Sequence, residues 1–157
     1  MFFMETLHIE DESGLELVVK KALQLLGSVR IENGASVLAV SGTLGAGKTT
    51  FTQMLAQALG ITEVVNSPTY VIMKKYECAE DSVSPYAYAY AYLYHLDAYR
   101  IEENDEMRVL GFEKILHERD ALMCIEWGER IKELLPAHTL YMQIGINPDD
   151  SRTITFS

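Results

Sequence analysis

Apolar side chains recur at helical spacing in two stretches of the N-terminal third of the chain. The first stretch follows Ser13, which with Glu16 fits a capping-box pattern, and it continues to Gly27. This spacing predicts an amphipathic helix. The second stretch, residues 49–59, predicts another helix that ends before Gly60. Shorter helices are predicted at 106–116 and at 129–135, the latter stopped by Pro136.

Period-two alternation is strongest at residues 86–95, where every second residue is a tyrosine. This pattern predicts a strand with one tyrosine face, and the polar run at 80–84 would form the turn of a hairpin. Five aromatic side chains on one face fit packing under a helix or a surface that faces a partner. We predict that at least two of the five tyrosines are more than half buried within the monomer.

The remaining strands are predicted from short apolar runs and from alternation. Residues 36–40 are a short, mainly apolar strand candidate, and residues 121–125 are a continuous apolar run of the kind found in buried parallel strands. Residues 139–146 and 153–156 alternate on either side of the turn sequence NPDD, which predicts a hairpin. Residues 64–76 predict a loop followed by a strand.

Helices interspersed with strands predict an α/β domain, with a mixed sheet, flanking helices and β-hairpins. A chain of 157 residues is of ordinary size for one domain, so residues 1–157 are assigned to a single domain.

The acidic balance of the chain limits its partners. Thirteen basic against 23 acidic residues give a net charge of −10, which repels phosphate backbones. We therefore expect no DNA binding, and contact with RNA only through partners that supply a basic surface. Cys78 and Cys124 lack metal-ligand spacing and are predicted to be reduced, buried thiols. No apolar stretch approaches a membrane span, so we expect a cytoplasmic chain with no membrane partner.

The sequence GTLGAGKT at residues 42–49 fits the phosphate-binding pattern G-x-x-x-x-G-K-[ST]. It lies between a predicted strand and a predicted helix, as this motif requires, and it predicts a P-loop NTPase-like fold that binds a nucleotide polyphosphate. We expect that nucleotide to be ATP or ADP. Backbone N–H groups of the loop and of the helix N-terminus would hold the phosphates. The alternative is a glycine-rich turn that binds nothing. The candidate binding residues are Gly42, Thr43, Leu44, Gly45, Ala46, Gly47, Lys48, Thr49 and Thr50.

Individual side chains could complete the chemistry. Lys48 would place a positive charge at the β- and γ-phosphates as a catalytic group, and the Thr49 hydroxyl would ligate Mg²⁺. Asp97 and Glu126 each follow an apolar strand, so both could face the nucleotide as metal-binding and catalytic acids. The sequence leaves open which acid binds magnesium and which orients water, and an ordinary solvated acid is the alternative for each.

Three further positions have two interpretations each. The Thr69 hydroxyl could meet the γ-phosphate or its metal, or belong to a simple turn. Arg100 could stabilise phosphoryl charge or form a surface ion pair. Trp127, the single tryptophan, fits core packing better than a site role on bulk alone.

Four separated segments together resemble the TsaE family, also called YjeE. They are SGTLGAGKTTF at 41–51, NSPTY at 66–70, HLDAYR at 95–100 and IEWGER at 125–130. Their order and spacing extend the resemblance over residues 13–135, and the last three segments are more specific than the first.

The resemblance implies a small bacterial ATPase of tRNA threonylcarbamoyladenosine synthesis. It would work with the partner proteins TsaB and TsaD, which transfer the threonylcarbamoyl group to the adenosine beside the anticodon. It also implies nucleotide and magnesium roles for Lys48 and Thr49, a switch-like role for Thr69, and functional roles for Asp97, Glu126 and Trp127. The chain departs from the family pattern in two ways: Thr43 stands where the family usually has an acid, and the Tyr-Ala run is longer than the usual hairpin.

Three other functions compete with an ATPase. A small-molecule kinase usually carries an arginine-rich lid, whereas the six arginines of this chain are scattered singly. A GTP-binding switch would need an Asn-Lys-x-Asp or Thr-Lys-x-Asp guanine motif, which the sequence lacks. A nucleotide-gated assembly module, in which hydrolysis is not essential, would share every site residue with the ATPase.

Overall fold

The computed structural model describes residues 3–68, 72–79, 85–86 and 89–157, and a seven-stranded mixed sheet organises these ranges. The strands follow in chain order as β1 (Glu5–Ile9), β2 (Ser36–Gly42), β3 (Met73–Glu77), β4 (Tyr92–Asp97), β5 (Ala121–Glu126), β6 (Leu140–Ile146) and β7 (Arg152–Phe156). Across the sheet the order is β1-β7-β6-β2-β5-β4-β3. Strands β6, β2, β5 and β4 are parallel, and the outer pairings are antiparallel. The predicted α/β fold with a mixed sheet is confirmed.

Helices cover both faces of the sheet. They are α1 (Leu15–Val29), α2 (Lys48–Ala58), α3 (Asp105–Val109) and α4 (Phe112–Leu116), with 3-10 turns at Glu12–Gly14 and Gly128–Leu134. Helices α1 and α2 pack on one face, where Leu122 and Cys124 of β5 point. Helices α3 and α4 pack on the other, where Met123 and Ile125 point. Every residue of β5 is therefore buried, as the apolar run predicted.

Helix α1 starts and ends differently from its predicted bounds. The predicted capping box is wrong, because the backbone N–H of Ser13 donates to Asp11 Oδ1 at 2.9 Å and its hydroxyl donates to the same oxygen. Asp11 thus caps the 3-10 turn that leads into α1. The helix also continues past Gly27 to Val29, because a glycine inside a helix weakens it by about 1 kcal/mol without having to end it.

The two shorter helices also differ from their predictions. The helix at 106–116 is two short helices, α3 and α4, separated at Gly111, whose φ of 74° lies in the left-handed region. The helix at 129–135 is the 3-10 turn Gly128–Leu134, with non-helical angles at Ile131.

The tyrosine-rich segment is only partly a strand. Described residues before Tyr92 lie in turns and a bend, because the Ala91 N–H donates to Asp120 O at 2.8 Å and its carbonyl accepts from Cys78. This bend ends the alternation, so Tyr90 and Tyr94 pack into cores on opposite faces of the sheet. The predicted single tyrosine face is therefore wrong. Both side chains are about 5% exposed or less, which confirms that at least two tyrosines are buried. The predicted turn at 80–84 lies outside the described residues.

The N-terminal strand β1 was not predicted from the sequence. It pairs antiparallel with β7, so Glu5 lies opposite Phe156. The predicted hairpin of β6 and β7 is confirmed, and so is the burial of both thiols, Cys78 and Cys124. In the described part of the chain, no helix is both long enough and apolar enough to cross a membrane.

Candidate functional site

The glycine-rich loop turns the chain from the end of β2 into α2. Gly47 has a φ of 109°, which a side chain would strain, and its carbonyl accepts the first helical bond, from Phe51 N at 2.8 Å. The loop closes on itself where Ala46 N donates to Thr43 O at 3.0 Å. Arg152 of β7 holds it from outside, since its Nε donates to Ala46 O at 3.1 Å. The loop is therefore anchored at both ends and braced in the middle.

Lys48 is buried at the base of this loop. Its Nζ donates to Gly42 O at 2.7 Å and to Thr43 O at 3.0 Å, and it lies 4.1 Å from the centre of the Trp127 ring. Burial lowers the pKa of the Lys48 ammonium, and the nearby acids, Glu126 first among them, oppose that shift. The ammonium thus rests on carbonyls and an aromatic face, from which it can turn toward an anion.

The carboxylate of Glu126 connects three elements. Its Oε1 accepts the Thr49 hydroxyl at 2.8 Å, and its Oε2 lies 2.6 Å from His95 Nε2. Thr49 begins α2, His95 belongs to β4, and Glu126 ends β5. The contact exists because side chains at these positions share the α2 face of the sheet. Each carboxylate oxygen of this acid, which is 3% exposed, therefore has a polar neighbour within hydrogen-bond distance.

Asp97 lies directly beside Glu126, because the two residues are paired in the parallel register of β4 and β5. Its Oδ1 accepts the backbone N–H of Tyr99 at 2.9 Å, and its Oδ2 accepts the Ser67 hydroxyl at 3.2 Å. Two carboxylates from neighbouring strand ends therefore face one space, as the strand-then-acid pattern predicted.

Trp127 follows Glu126 with φ 58° and ψ 36°, a left-handed conformation that costs a bulky residue about 1–3 kcal/mol. The next residue, Gly128, packs so closely on Ala39 that a Cβ would lie 2.6 Å from the Ala39 Cβ. In this conformation the Trp127 ring lies over Lys48 Nζ and is tilted against Tyr99, with ring centres 5.0 Å apart. Trp127 thus lines the cavity in addition to packing against the core.

These side chains surround one open cavity of about 350 Å³. Its lining comprises Glu12, Leu44, Gly45, Gly47, Lys48, Thr49, Thr50, Ser67, Asp97, Tyr99, Glu126 and Trp127. Of the remaining predicted loop residues, Gly42 and Thr43 contribute carbonyls to Lys48, and Ala46 is buried behind the loop. The structure therefore brings the loop and both predicted acids together around a space bordered by one lysine and three carboxylates.

Two predicted residues are not part of this lining. Thr69 lies outside the described residues, and its role stays a prediction. Arg100 is exposed and does not line the cavity.

The sequence reasoning did not single out Glu12, Ser67 or Tyr99 as lining residues. Ser67 and Tyr99 fall inside the segments NSPTY and HLDAYR, which was the signal available for them. For Glu12 no such signal existed, because its place depends on how the 3-10 turn before α1 packs.

Residues 13–154 match the family model described as "Threonylcarbamoyl adenosine biosynthesis protein TsaE". Over 121 residues the chain is 45% identical to the tRNA threonylcarbamoyladenosine biosynthesis protein TsaE of Bacillus subtilis, covering 77% of this chain and 68% of that protein. Over 149 residues it is 31% identical to the protein of the same name from Haemophilus influenzae, covering 95% and 86%.

The fold has a counterpart among solved structures. The crystal structure of YdiB from Bacillus subtilis superposes with a TM-score of 0.68 and 31% sequence identity, covering 99% of this chain and 86% of that one. This agreement confirms the P-loop NTPase-like α/β fold that the motif and the element order predicted.

Proposed function

The chain belongs to the TsaE family of threonylcarbamoyl adenosine biosynthesis proteins, and on that premise we propose that it binds and hydrolyses ATP with magnesium in support of this tRNA modification. The observation that carries the proposal is the hydrogen bond between Thr49 and Glu126. It joins the hydroxyl of the phosphate loop to a strand-end carboxylate, the two groups with which P-loop NTPases hold their metal.

The residues present fit magnesium. Mg²⁺ prefers oxygen ligands and is usually held by one or two carboxylates together with phosphates and water. The Thr49 hydroxyl, Glu126 and Asp97 provide such an oxygen set at one end of the cavity. Bound there, magnesium would neutralise phosphate charge.

Thr49 and Glu126 would hold the metal, because they already contact one another. Asp97 faces the same cavity with its carboxylate fixed by Tyr99 N and Ser67, so it is suited to orient a water molecule. Lys48 would exchange its loop carbonyls for phosphate oxygens, a gain because a buried ammonium favours a full negative charge. The chain's residues thus divide into metal-holding, water-orienting and phosphate-binding groups.

Partners are part of the proposal. Proteins of the TsaB and TsaD type would carry out the threonylcarbamoyl transfer, and tRNA would be met through them, because a net charge of −10 disfavours direct binding to RNA. The open cavity on this chain agrees with slow ATP turnover alone, since a neighbouring protein could close it.

The test compares ATP turnover by the chain mixed with TsaB- and TsaD-type proteins for the wild type, Lys48→Ala and Lys20→Ala. Lys20 is the matched control, a surface lysine paired with Glu16 on α1. We expect Lys48→Ala to lose turnover by about 100-fold or more, as when a charged group is removed from a transition state, and Lys20→Ala to retain it. Equal turnover in all three proteins would contradict the proposal.

The pathway assignment needs a separate test in cells. Depletion of the protein should remove threonylcarbamoyladenosine from tRNA hydrolysates measured by mass spectrometry. Re-expression of the wild type should restore it, and Lys48→Ala should not. Modification that persists after depletion would remove the pathway role while leaving nucleotide binding intact.

A nucleotide-gated assembly module is the second candidate, favoured by Leu44. This apolar residue at the loop tip is 88% exposed and borders the cavity, so a partner that covers it would sense bound nucleotide directly. In that case a variant that binds ATP without hydrolysing it would still support the modification. An ATPase whose hydrolysis is essential would not tolerate such a variant.

A further inference from the structure

We propose that His95 is a positioning residue that fixes the Glu126 carboxylate in the orientation from which it meets Thr49. His95 is fully buried in β4, and its Nε2 lies 2.6 Å from Glu126 Oε2. The other oxygen, Oε1, accepts from Thr49. The carboxylate is thus held on its inner side by an imidazole and on its cavity side by the phosphate-loop helix. This inference deepens the proposed function and rests on it.

The sheet itself sets this geometry. His95 lies opposite Cys124 in the register of β4 and β5, and Asp97 lies opposite Glu126. His95 and Glu126 therefore stand diagonally across neighbouring strands on the same face, within reach of a single hydrogen bond.

Glu126 needs such a partner because it is almost completely buried. The terminal torsion of a glutamate is broad, so an unheld carboxylate would rotate among several orientations. A buried carboxylate oxygen without a donor is also costly. A proton on His95 Nε2 would fix the orientation of the carboxylate and give Oε2 a hydrogen-bond donor. Oε1 then remains directed at the cavity, where it accepts from Thr49.

Packing does not account for an imidazole at this position. Leu93, two residues earlier on the same face, is equally buried and apolar. Among the described residues, His95 Nδ1 has no hydrogen-bond partner. A leucine would avoid that cost and fill the space, so the contact with Glu126 is the interaction that histidine adds.

Two variants that carry the same amide group test this role. In His95→Gln the side-chain amide can take the place of Nε2, whereas in His95→Asn it reaches only as far as Nδ1. The measurement is the magnesium concentration that gives half-maximal ADP binding in calorimetry, with the thermal unfolding midpoint recorded alongside. Tyr94→Phe is the matched control, because it removes a hydrogen bond, to Glu118, on the opposite face of the same strand.

Partners that orient metal ligands typically contribute 10- to 100-fold to metal affinity, so His95→Asn should raise the half-maximal magnesium concentration by about 10- to 100-fold. His95→Gln and Tyr94→Phe should stay within about threefold of the wild type, because both keep a donor at Glu126. Folded Asn and Gln variants with equal magnesium dependence would overturn the proposal.

A measurement on the unmodified protein covers the case in which the variants do not fold. Nitrogen-15 NMR of the imidazole, without nucleotide, should find the proton on His95 Nε2, and an unprotonated Nε2 would overturn the proposal. A wild type that binds no ADP at any magnesium concentration would instead overturn the proposed function, and this inference with it. Wild-type ADP binding combined with an unaffected Asn variant would remove the role of His95 alone.

Discussion

Polar residues are buried in the central parallel strands β4 and β5, but they are partly or fully exposed in the antiparallel hairpin of β6 and β7, which we call the antiparallel edge. In β4 and β5 the polar side chains of His95, Asp97 and Glu126 are buried. His95 and Thr49 of α2 each contact Glu126, and Asp97 accepts from Ser67 and from the backbone N–H of Tyr99. Across β6 and β7, polar residues such as Gln143 point outward. The turn between these two strands satisfies its own groups, with Asn147 Nδ2 donating to Ser151 Oγ at 2.9 Å.

The difference separates residues kept for chemistry from residues kept for stability. Burying a carboxylate is costly even when it is hydrogen-bonded, and an apolar replacement is often as stable. The antiparallel edge carries no such cost, and its alternation buries one apolar face. Substitutions of the buried polar residues in the centre should therefore change activity more than stability, and substitutions of buried apolar residues at the edge should do the reverse.

The largest expected effect is on stability, at the antiparallel edge. Phe156 of β7 is fully buried, so Phe156→Ala should lower the free energy of unfolding by about 3–5 kcal/mol. Thr155→Ala, at its partly buried neighbour on the same strand, should change it by about 1 kcal/mol or less. Chemical denaturation measures both. Loss of ATP turnover in the folded fraction of Phe156→Ala would contradict this division, because it would give a residue of the apolar edge face a role in activity as well as in stability.

Glu126→Gln should have the opposite effect, with little change in stability and a large loss of activity. Glutamine can still accept from His95 and contact Thr49, so we expect the free energy of unfolding to change by less than about 1 kcal/mol. The loss of the negative charge should lower ATP turnover by about 100- to 1,000-fold. Turnover assays and denaturation on the same preparation check both numbers. A variant that is strongly destabilised yet fully active would reverse the assignment of the two regions.

Trp127 offers a smaller, spectroscopic effect within the central region. Its ring lies 4.1 Å from Lys48 Nζ, a contact worth about 0.5–1 kcal/mol at a partly exposed site. Because Lys48 would leave the ring for phosphate, ATP with magnesium should shift the emission of this single tryptophan. Lys48→Met should show the shifted emission before nucleotide is added. Unchanged emission at saturating ATP would show that Lys48 stays where it is.

Thiol alkylation should show the smallest effect. Burial raises the pKa of the Cys78 thiol to about 11 and that of Cys124 to about 12, because the thiolate loses its solvation. Both groups are therefore neutral at pH 8, and iodoacetamide should not label the native protein. As denaturant rises, Cys78, just beyond edge strand β3, should react before Cys124 in central strand β5. The opposite order would mean that the centre opens first.

Local sequence patterns were sufficient to predict most residues of the candidate site. Parts of the fold could not be predicted in this way, because they depend on pairing between distant segments. The phosphate loop and its flanking strand and helix are contiguous, and Asp97 and Glu126 follow from strand-then-acid patterns. Strand β1 depends on pairing with β7, almost the whole chain away, so five residues of mixed polarity gave no signal.

The prediction of one long tyrosine strand was wrong for the same reason, a long-range contact: the bend at Ala91 depends on its hydrogen bond to Asp120. His95 resembles any other residue of an alternating strand until the register of β4 and β5 places it beside Glu126.

Calorimetric titration of ATP in the presence of magnesium tests the central claim, that the loop and the strand-end acids form one nucleotide site, most directly. The account predicts one ATP bound per chain by the wild type, and binding that is much weaker in Lys48→Ala and without magnesium. No heat with the wild type, or equal binding by Lys48→Ala, would contradict it.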